Sequence, residues 1–398
     1  MKTQNPSGKP LKEISVVGGA GHVGLPLSLA IAKKGLKVNI IDIDENKLEV
    51  IKSGKFPFME EGGDKLISQI QNMPISFSSN YNPIKKSDTI ILTVGTPIDE
   101  HLNPDLSDVF DAIEMIKPFL KSGQLLILRS TLFPGTSNII KELLEDMDIN
   151  VDISFCPERI AQGQGLKEIF EIPQIISGSS QSAIDRASCL FSLITKDIII
   201  LNLEEAEVAK LFSNAWRYLK FSIANQFYTI CLEKGLDFEK IRNAMMHNYA
   251  RAKDFPKSGF AAGPCLFKDT MQLAAYSRHS FTLGHNAMLV NEMLPEILVD
   301  NLKKNYEIRG ANIGILGMAF KPNNDDKRES LAYKLLRILK YEGAKIFCTD
   351  PYILDERFYK LEEVLENCKI LFIGCAHDEY KNLNLDDSYK TIDCWGML

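Results

Sequence analysis

The sequence has no CxxC pair and no dense run of cysteines; its eight thiols, Cys156, Cys189, Cys231, Cys265, Cys348, Cys368, Cys375 and Cys394, are scattered along 398 residues. That spacing excludes a small disulfide scaffold and reads as reduced thiols, each by default a buried small hydrophobe. Positive charge is not in excess: 46 basic against 52 acidic residues leave a net charge of -6. Nucleic acid and an anionic membrane surface are thereby excluded as main partners, and any phosphate site must be local. The six histidines are dispersed without ligand spacing, so no metal is implied. Met1–Leu11 lacks the apolar core of a signal peptide. The apolar stretch Ile14–Ala32 is broken by Gly18, Gly19, Gly21, His22, Gly24, Pro26 and Ser28, as a membrane-spanning helix rarely is. The expected setting is the cytoplasm, with no membrane partner.

What the sequence does have is 45% hydrophobic residues, enough for two or three domains with cores of their own. Its opening alternates a strand-like run at Ile14–Val17, a glycine cluster, a helix-like run at Leu25–Lys34 stopped by Gly35, and a second strand at Val38–Ile41. This is a βαβ pattern. Apolar runs recur at Thr89–Val94, Leu125–Leu128 and Val151–Phe155 between segments of helical spacing, which predicts one parallel, doubly wound sheet over the first two hundred residues. Glu204–Gly235 then runs without a strong breaker. Helical patterns at Asp237–Met246 and Met288–Lys304 continue a central helical segment, interrupted by the Gly-, Pro- and Ala-rich loop Phe255–Cys265, whose backbone is free to approach a ligand. A second α/β unit follows, with strand-like runs at Ile313–Leu316, Lys345–Thr349, Ile370–Gly374 and Thr391–Asp393 and a helix at Leu331–Glu342 ended by Gly343.

Gly19-Ala20-Gly21-His22-Val23-Gly24 fits GxGxxG between the first strand and the first helix, where close backbone approach and a helix N-terminus can hold a pyrophosphate. Asp42 ends the second strand, 23 residues after Gly19; a carboxylate there accepts hydrogen bonds from the adenosine ribose and repels a 2′-phosphate, which favours NAD over NADP. The alternative is a plain tight turn with Asp42 and Asp44 capping the helix that starts near Glu45; Asp44 is the better cap, leaving Asp42 for the ribose. His22 and Val23 join the cofactor-binding set by position, and the His22 side chain reads as a helix-end surface group rather than a catalyst.

Gly263-Pro264-Cys265-Leu266-Phe267-Lys268-Asp269 puts a thiol in a glycine- and proline-containing loop one helical turn before a carboxylate. A cysteine so placed is a candidate nucleophile. In the long helical stretch, Lys210 and Asn214 share a face by their i,i+4 spacing; the bland reading is an ordinary solvated face.

Together with Val94-Gly95-Thr96-Pro97, Ser130-Thr131, Pro157-Glu158-Arg159, Ala319-Phe320-Lys321-Pro322 and Asp325-Asp326-Lys327-Arg328-Glu329-Ser330, these motifs occur in an order that resembles the UDP-glucose/GDP-mannose dehydrogenase family along nearly the whole chain. The resemblance implies an α/β architecture in three parts. These are an N-terminal Rossmann-type NAD domain (1–203), a central helical dimerisation domain carrying the cysteine loop (204–304) and a smaller Rossmann-like domain that binds the nucleotide-sugar's UDP (305–398). It implies a homodimer and a four-electron oxidation of a nucleotide-sugar's C6 alcohol to the acid, serving polysaccharide biosynthesis. A first hydride goes to NAD, the aldehyde is captured by Cys265 as a thiohemiacetal, a second oxidation gives a thioester, and water releases the acid. By the same resemblance Lys210 and Asn214 stabilise the oxyanion, Asp269 and Thr131 organise a water, and Glu158 serves thioester hydrolysis. Thr96, Thr131, Lys268 and Arg328 contact NAD, while Glu158, Arg159, Lys210, Asn214, Gly263, Lys321 and Arg251, the last from the partner subunit, bind the nucleotide-sugar.

Two departures qualify the match. Ala262 replaces the first of two adjacent glycines usual before the cysteine loop's end, and Arg159 and Gln162 stand where members acting on UDP-glucose tend to have Phe and a second Glu. The latter resembles members acting on N-acetylated hexosamines and favours a UDP-N-acetylhexosamine over UDP-glucose, and a UDP-sugar over a GDP-sugar. The competing readings are a β-hydroxyacid-type two-electron dehydrogenase, which needs neither Cys265 nor a second α/β domain, and a non-catalytic NAD- or nucleotide-sugar-binding protein.

Overall fold

The structure, a computed structural model, describes residues 11–278 and 280–398; the signal-peptide reading of Met1–Leu11 therefore falls, up to residue 10, outside the described residues. The chain divides into two compact units, one ending at Phe212 and one comprising Ser213–Leu398.

The first unit runs β1 (Glu13–Val17), α1 (Gly24–Lys33), β2 (Lys37–Ile41), α2 (Glu45–Lys52), α3 (Gly63–Ile67), β3 (Ile75–Ser78), β4 (Thr89–Leu92), α4 (Ser107–Ile116), β5 (Leu125–Leu128), α5 (Thr136–Glu145), β6 (Asp152–Phe155), α6 (Gly165–Glu171), β7 (Gln174–Ile176), α7 (Gln181–Phe191) and β8 (Ile198–Ile200). Strands β1 to β6 form one parallel sheet in the order β3-β2-β1-β4-β5-β6. Runs such as Thr89–Leu92 and Leu125–Leu128 are buried throughout, because helices cover both faces of a parallel sheet and leave no polar side. One face packs on Leu25, Leu27, Leu29 and Ile31 of α1 and Ala183, Ala187 and Leu190 of α7. The other packs on Val109, Ile113 and Ile116 of α4 and Ile140 and Leu144 of α5. The strand order reverses between β1 and β4, which opens a crevice at their carboxyl ends.

The expectation of a single sheet over the first two hundred residues is corrected here. The main sheet stops at β6, and β7 and β8 pair with each other in a separate two-stranded parallel sheet. The open edge of β6 is met instead by irregular chain, the Ser177 and Ser179 amides donating to the Phe155 and Ile153 carbonyls at 3.1 and 2.8 Å. Strand β3, four half-exposed residues with a polar alternation, carries no apolar run that would mark it in the sequence.

Helix α8 (Leu203–Lys234) is continuous for 32 residues, as the breaker-free sequence predicts. The second unit continues with α9 (Phe238–Met246), α10 (Leu266–Tyr276), α11 (Thr282–Lys303), β9 (Asn312–Leu316), α12 (Leu331–Tyr341), β10 (Lys345–Thr349), α13 (Leu361–Asn367), β11 (Ile370–Ile373) and β12 (Lys390–Ile392). Its four strands are all parallel, in the order β10-β9-β11-β12. One face buries Leu331, Leu335 and Leu339 of α12 with Leu294 and Leu298 of α11, the other Val364 of α13 and Cys368 at its end. No helix among the described residues is long and apolar enough to cross a membrane.

Candidate active site

In the first unit the chain leaves β1 through Gly18, at φ +76°, where a Cβ would lie 2.8 Å from the Thr93 carbonyl oxygen. At Gly24 a Cβ would run into the Gly18 carbonyl oxygen and come within 2.7 Å of the Gly19 Cα. Only glycine closes this turn. The start of α1 that follows has no side-chain cap. A bare helix N-terminus behind a closed glycine turn suits a bound phosphate. Asp42 accepts the Ala20 and Asp44 amides at 3.0 Å each and, with about four acceptor positions on a carboxylate, keeps capacity for a ribose. Asp44 caps α2 as expected. The residues present therefore fit NAD. The His22 ring lies on Phe58, centroids 3.9 Å apart, and within 3.4 Å of the Gln162 amide.

Glu158 is 8% exposed and not a surface carboxylate. One oxygen pairs with the buried Arg129 guanidinium, and the other accepts the Arg159 and Ile160 amides at 2.7 and 2.9 Å. Arg129 in turn donates to Gln174 Oε1 at 3.0 Å and the Cys156 carbonyl at 3.1 Å. The Arg159 side chain is half-buried and donates to the Pro173 carbonyl. Thr96 is buried, and Thr131 is half-buried beside Ser130, whose hydroxyl donates to the Val94 carbonyl. On α8, Lys210 is 8% exposed, one turn after Glu207. Glu207 is fully buried and accepts the Gly135 amide at 2.6 Å and the Ser137 amide and hydroxyl at 2.9 and 2.6 Å. It thereby ties α8 to the start of α5; burial lifts its carboxyl above the usual range despite those bonds.

In the second unit Cys265 is the exposed member of the eight thiols; seven are buried or partly so. Burial pushes Cys156 up to about 11 and Cys348 to about 12, so those thiols stay protonated and inert. Cys265 is the residue that enters α10, and Asp269, one turn later and 0% exposed, accepts Asn214 Nδ2 at 2.6 Å and Lys268 Nζ at 2.7 Å. Asn214, Lys268 and Asp269 are thus one hydrogen-bonded group beside the thiol's helix. The cysteine loop rests on the segment carrying Lys321: Gly263, at φ +98°, has the Phe320 ring where a Cβ would be, and its amide donates to the Glu329 carbonyl at 3.3 Å. Arg328 is held by Asp326 through Nε at 2.9 Å and Nη2 at 2.6 Å. That bond raises its guanidinium further, with a smaller contribution from Cys265 nearby. Arg251 is exposed, its Nη1 donating to the Tyr249 hydroxyl at 3.2 Å.

Two residues of this geometry have no motif of their own in the sequence: Arg129 and Glu207. Arg129 directly precedes Ser130-Thr131 and Glu207 lies one turn before Lys210, which is the signal that could have found them.

Three family models match in chain order: the UDP-glucose/GDP-mannose dehydrogenase NAD binding domain over residues 12–211, the central domain over 204–293 and the UDP binding domain over 314–396. The chain belongs to the UDP-glucose/GDP-mannose dehydrogenase family. Membership makes it an NAD-dependent oxidoreductase acting on a nucleotide-sugar. It is 32% identical to the UDP-N-acetyl-D-mannosamine dehydrogenase of Methanocaldococcus jannaschii, over 94% of this chain and 88% of the relative. It is 29% identical to the UDP-glucose 6-dehydrogenase TuaD of Bacillus subtilis, over 89% of this chain and 79% of the relative. The solved UDP-D-ManNAc dehydrogenase of Pyrococcus horikoshii superposes with a TM-score of 0.90 at 27% identity, covering 97% of this chain and 96% of that one.

Proposed function

We propose that the chain oxidises the C6 alcohol of a UDP-N-acetylhexosamine, UDP-N-acetylmannosamine before UDP-glucose, to the carboxylate, with Cys265 as covalent nucleophile. The observation that carries this reading is the pairing of the exposed Cys265 with the buried Asn214–Asp269–Lys268 group on and beside α10. NAD, when bound, supplies the two-electron acceptor for each of the two oxidations. Gly19, Gly21, His22, Val23 and Gly24 hold it at the uncapped start of α1, Asp42 takes its ribose, and Thr96, Thr131, Lys268 and Arg328 complete its contacts. Cys265 Sγ forms a bond to the aldehyde carbon, the second oxidation leaves a thioester, and water cleaves that C–S bond, returning the thiol and releasing the acid. Lys210 and Asn214 donate to the oxyanion; Asp269 and Thr131 orient the water, and Glu158, held rigidly by Arg129, assists hydrolysis.

For the sugar, the Arg159 and Gln162 pattern and the names of the relatives from Methanocaldococcus jannaschii and Pyrococcus horikoshii point the same way. Lys321, Gly263 and a partner's Arg251 would hold the nucleotide-sugar, guanidinium being suited to bidentate phosphate contact. The divisions 1–203, 204–304 and 305–398 assign NAD, dimer contact and UDP to successive parts. A homodimer fits the exposed apolar residues Phe212, Trp216, Ile223, Phe227 and Ile230, which line one stripe of α8; Trp216→Glu should then yield a monomer on sedimentation. The eight thiols, none in a disulfide, suit the reducing cytoplasm. The test is Cys265→Ala assayed against a panel of UDP- and GDP-sugars: acid formation should vanish while NADH binding stays within about twofold, since the thiol is remote in sequence from the glycine turn. A variant that still forms acid at the parent rate makes Cys265 structural.

A further inference from the structure

The second sheet carries a polar cluster that none of the assigned roles uses. Asp350, at the carboxyl end of β10, and His377, in the turn after β11, have side chains 0% exposed. One Asp350 oxygen accepts the Met318 and Ala319 amides at 2.6 and 3.0 Å and lies 3.1 Å from His377 Nε2. The other accepts the Tyr352 and Ile353 amides at 2.9 Å each. His377 Nδ1 accepts the Asn323 amide at 2.9 Å. The tautomer follows: a ring nitrogen that accepts an N–H carries no proton, so the proton is on Nε2 and is donated to Asp350. The Tyr352 and Tyr380 rings flank the imidazole edge-on, centroids 5.0 and 5.8 Å away. Burial opposes charge on Asp350, but the bonds from His377 and the amides outweigh it and hold the carboxyl below its ordinary range.

Three of these contacts hold one turn, while the Tyr352 and Ile353 amides belong to the segment that follows β10. Met318, Ala319 and Asn323 are the two ends of the turn that carries Phe320 and Lys321. Asn323 is bound further by exchanging side-chain and amide bonds with Asp378 at 2.9 and 3.0 Å. Its φ of +55° lies in the left-handed region, which asparagine adopts more readily than other residues with a side chain, and the His377 bond fixes the turn at that point. Phe320, inside the turn, lies against Gly263 of the cysteine loop.

We infer that His377, backed by Asp350, is a positioning residue for the nucleotide-sugar: it fixes the Met318–Asn323 turn and thereby presents Lys321 to the nucleotide. This rests on the reading of Lys321 as a nucleotide-sugar contact. The two halves of the imidazole can be tested apart in the full-length protein. His377→Asn keeps an acceptor near the Nδ1 position and loses the reach to Asp350; His377→Gln reaches Asp350 and loses the acceptor for Asn323.

The expected result is that His377→Gln raises KM for the nucleotide-sugar and the Kd of UDP, measured by calorimetry, about tenfold, with kcat and KM for NAD unchanged. His377→Asn should recover most of that loss. If both variants lose thermal stability alike and KM for NAD and kcat move with KM for the sugar, His377 is a general fold residue and the inference is overturned. Lys321→Ala separates the two levels. Should it raise the Kd of UDP while His377→Gln does not, the positioning role alone fails. Should it leave the Kd of UDP unchanged, the Lys321 reading fails and the inference with it.

Discussion

The two larger parallel sheets place an aspartate at the same point, the carboxyl end of the second strand, and treat it in opposite ways. Asp42 accepts two amides and is half-exposed, whereas Asp350 accepts four amides and an imidazole and is sealed from solvent. The helices differ in parallel. The start of α1 has no side-chain cap, while Ser330 accepts the Ala332 amide at 3.3 Å and caps α12. The first sheet thus leaves acceptor capacity and helix N–H groups for a dinucleotide, and the second satisfies both internally. The same parallel βαβ opening serves as a cofactor platform in one case and as an internally bonded support for the Met318–Asn323 turn in the other. A Rossmann-like strand order alone is therefore no evidence of a dinucleotide site.

The comparison can be broken at several points. The largest effect is expected at the glycine turns. Gly24→Ala forces a Cβ into the Gly18 carbonyl and should weaken NADH binding by about a hundredfold, equivalent to ~3 kcal/mol of overpacking, as read by fluorescence titration. Gly317→Ala, whose Cβ would lie 2.5 Å from the Cys375 carbonyl oxygen at φ +88°, should instead lower thermal stability and leave NADH affinity intact. Next, Asp42→Ala should raise KM for NAD about tenfold, a lost charge-assisted bond, without changing KM for the nucleotide-sugar. Equal shifts in both constants would contradict the division of labour.

The acid limb comes third. The Asp350 carboxyl lies below its ordinary value, so the stability it contributes is present above the unfolded value of about pH 3.9 and is lost as pH falls through the folded one. Asp350→Asn should flatten the acid side of a stability profile. The smallest effect belongs to Ser330→Ala, which removes the α12 cap at a cost of about 1 kcal/mol. It should lower the melting temperature by about 2–4 °C with no change in KM for NAD.

The strands were legible wherever burial on both faces left an uninterrupted apolar run, as at Leu125–Leu128; the half-exposed β3 and the detached β7–β8 pair carry no such signature. Asp42 and Cys265 stood out because each sits at a fixed offset from glycines. Glu207 and His377 did not, because their partners, Ser137 and Asn323, lie 70 and 54 residues away. Long-range hydrogen bonds leave no local spacing to read.

The central claim, two oxidations on one carbon with a cysteine holding the intermediate, is tested most directly by counting NADH formed per nucleotide-sugar consumed with the best substrate of the panel. Two is the expected ratio. A ratio of one, with an aldehyde as the released product, would contradict the claim.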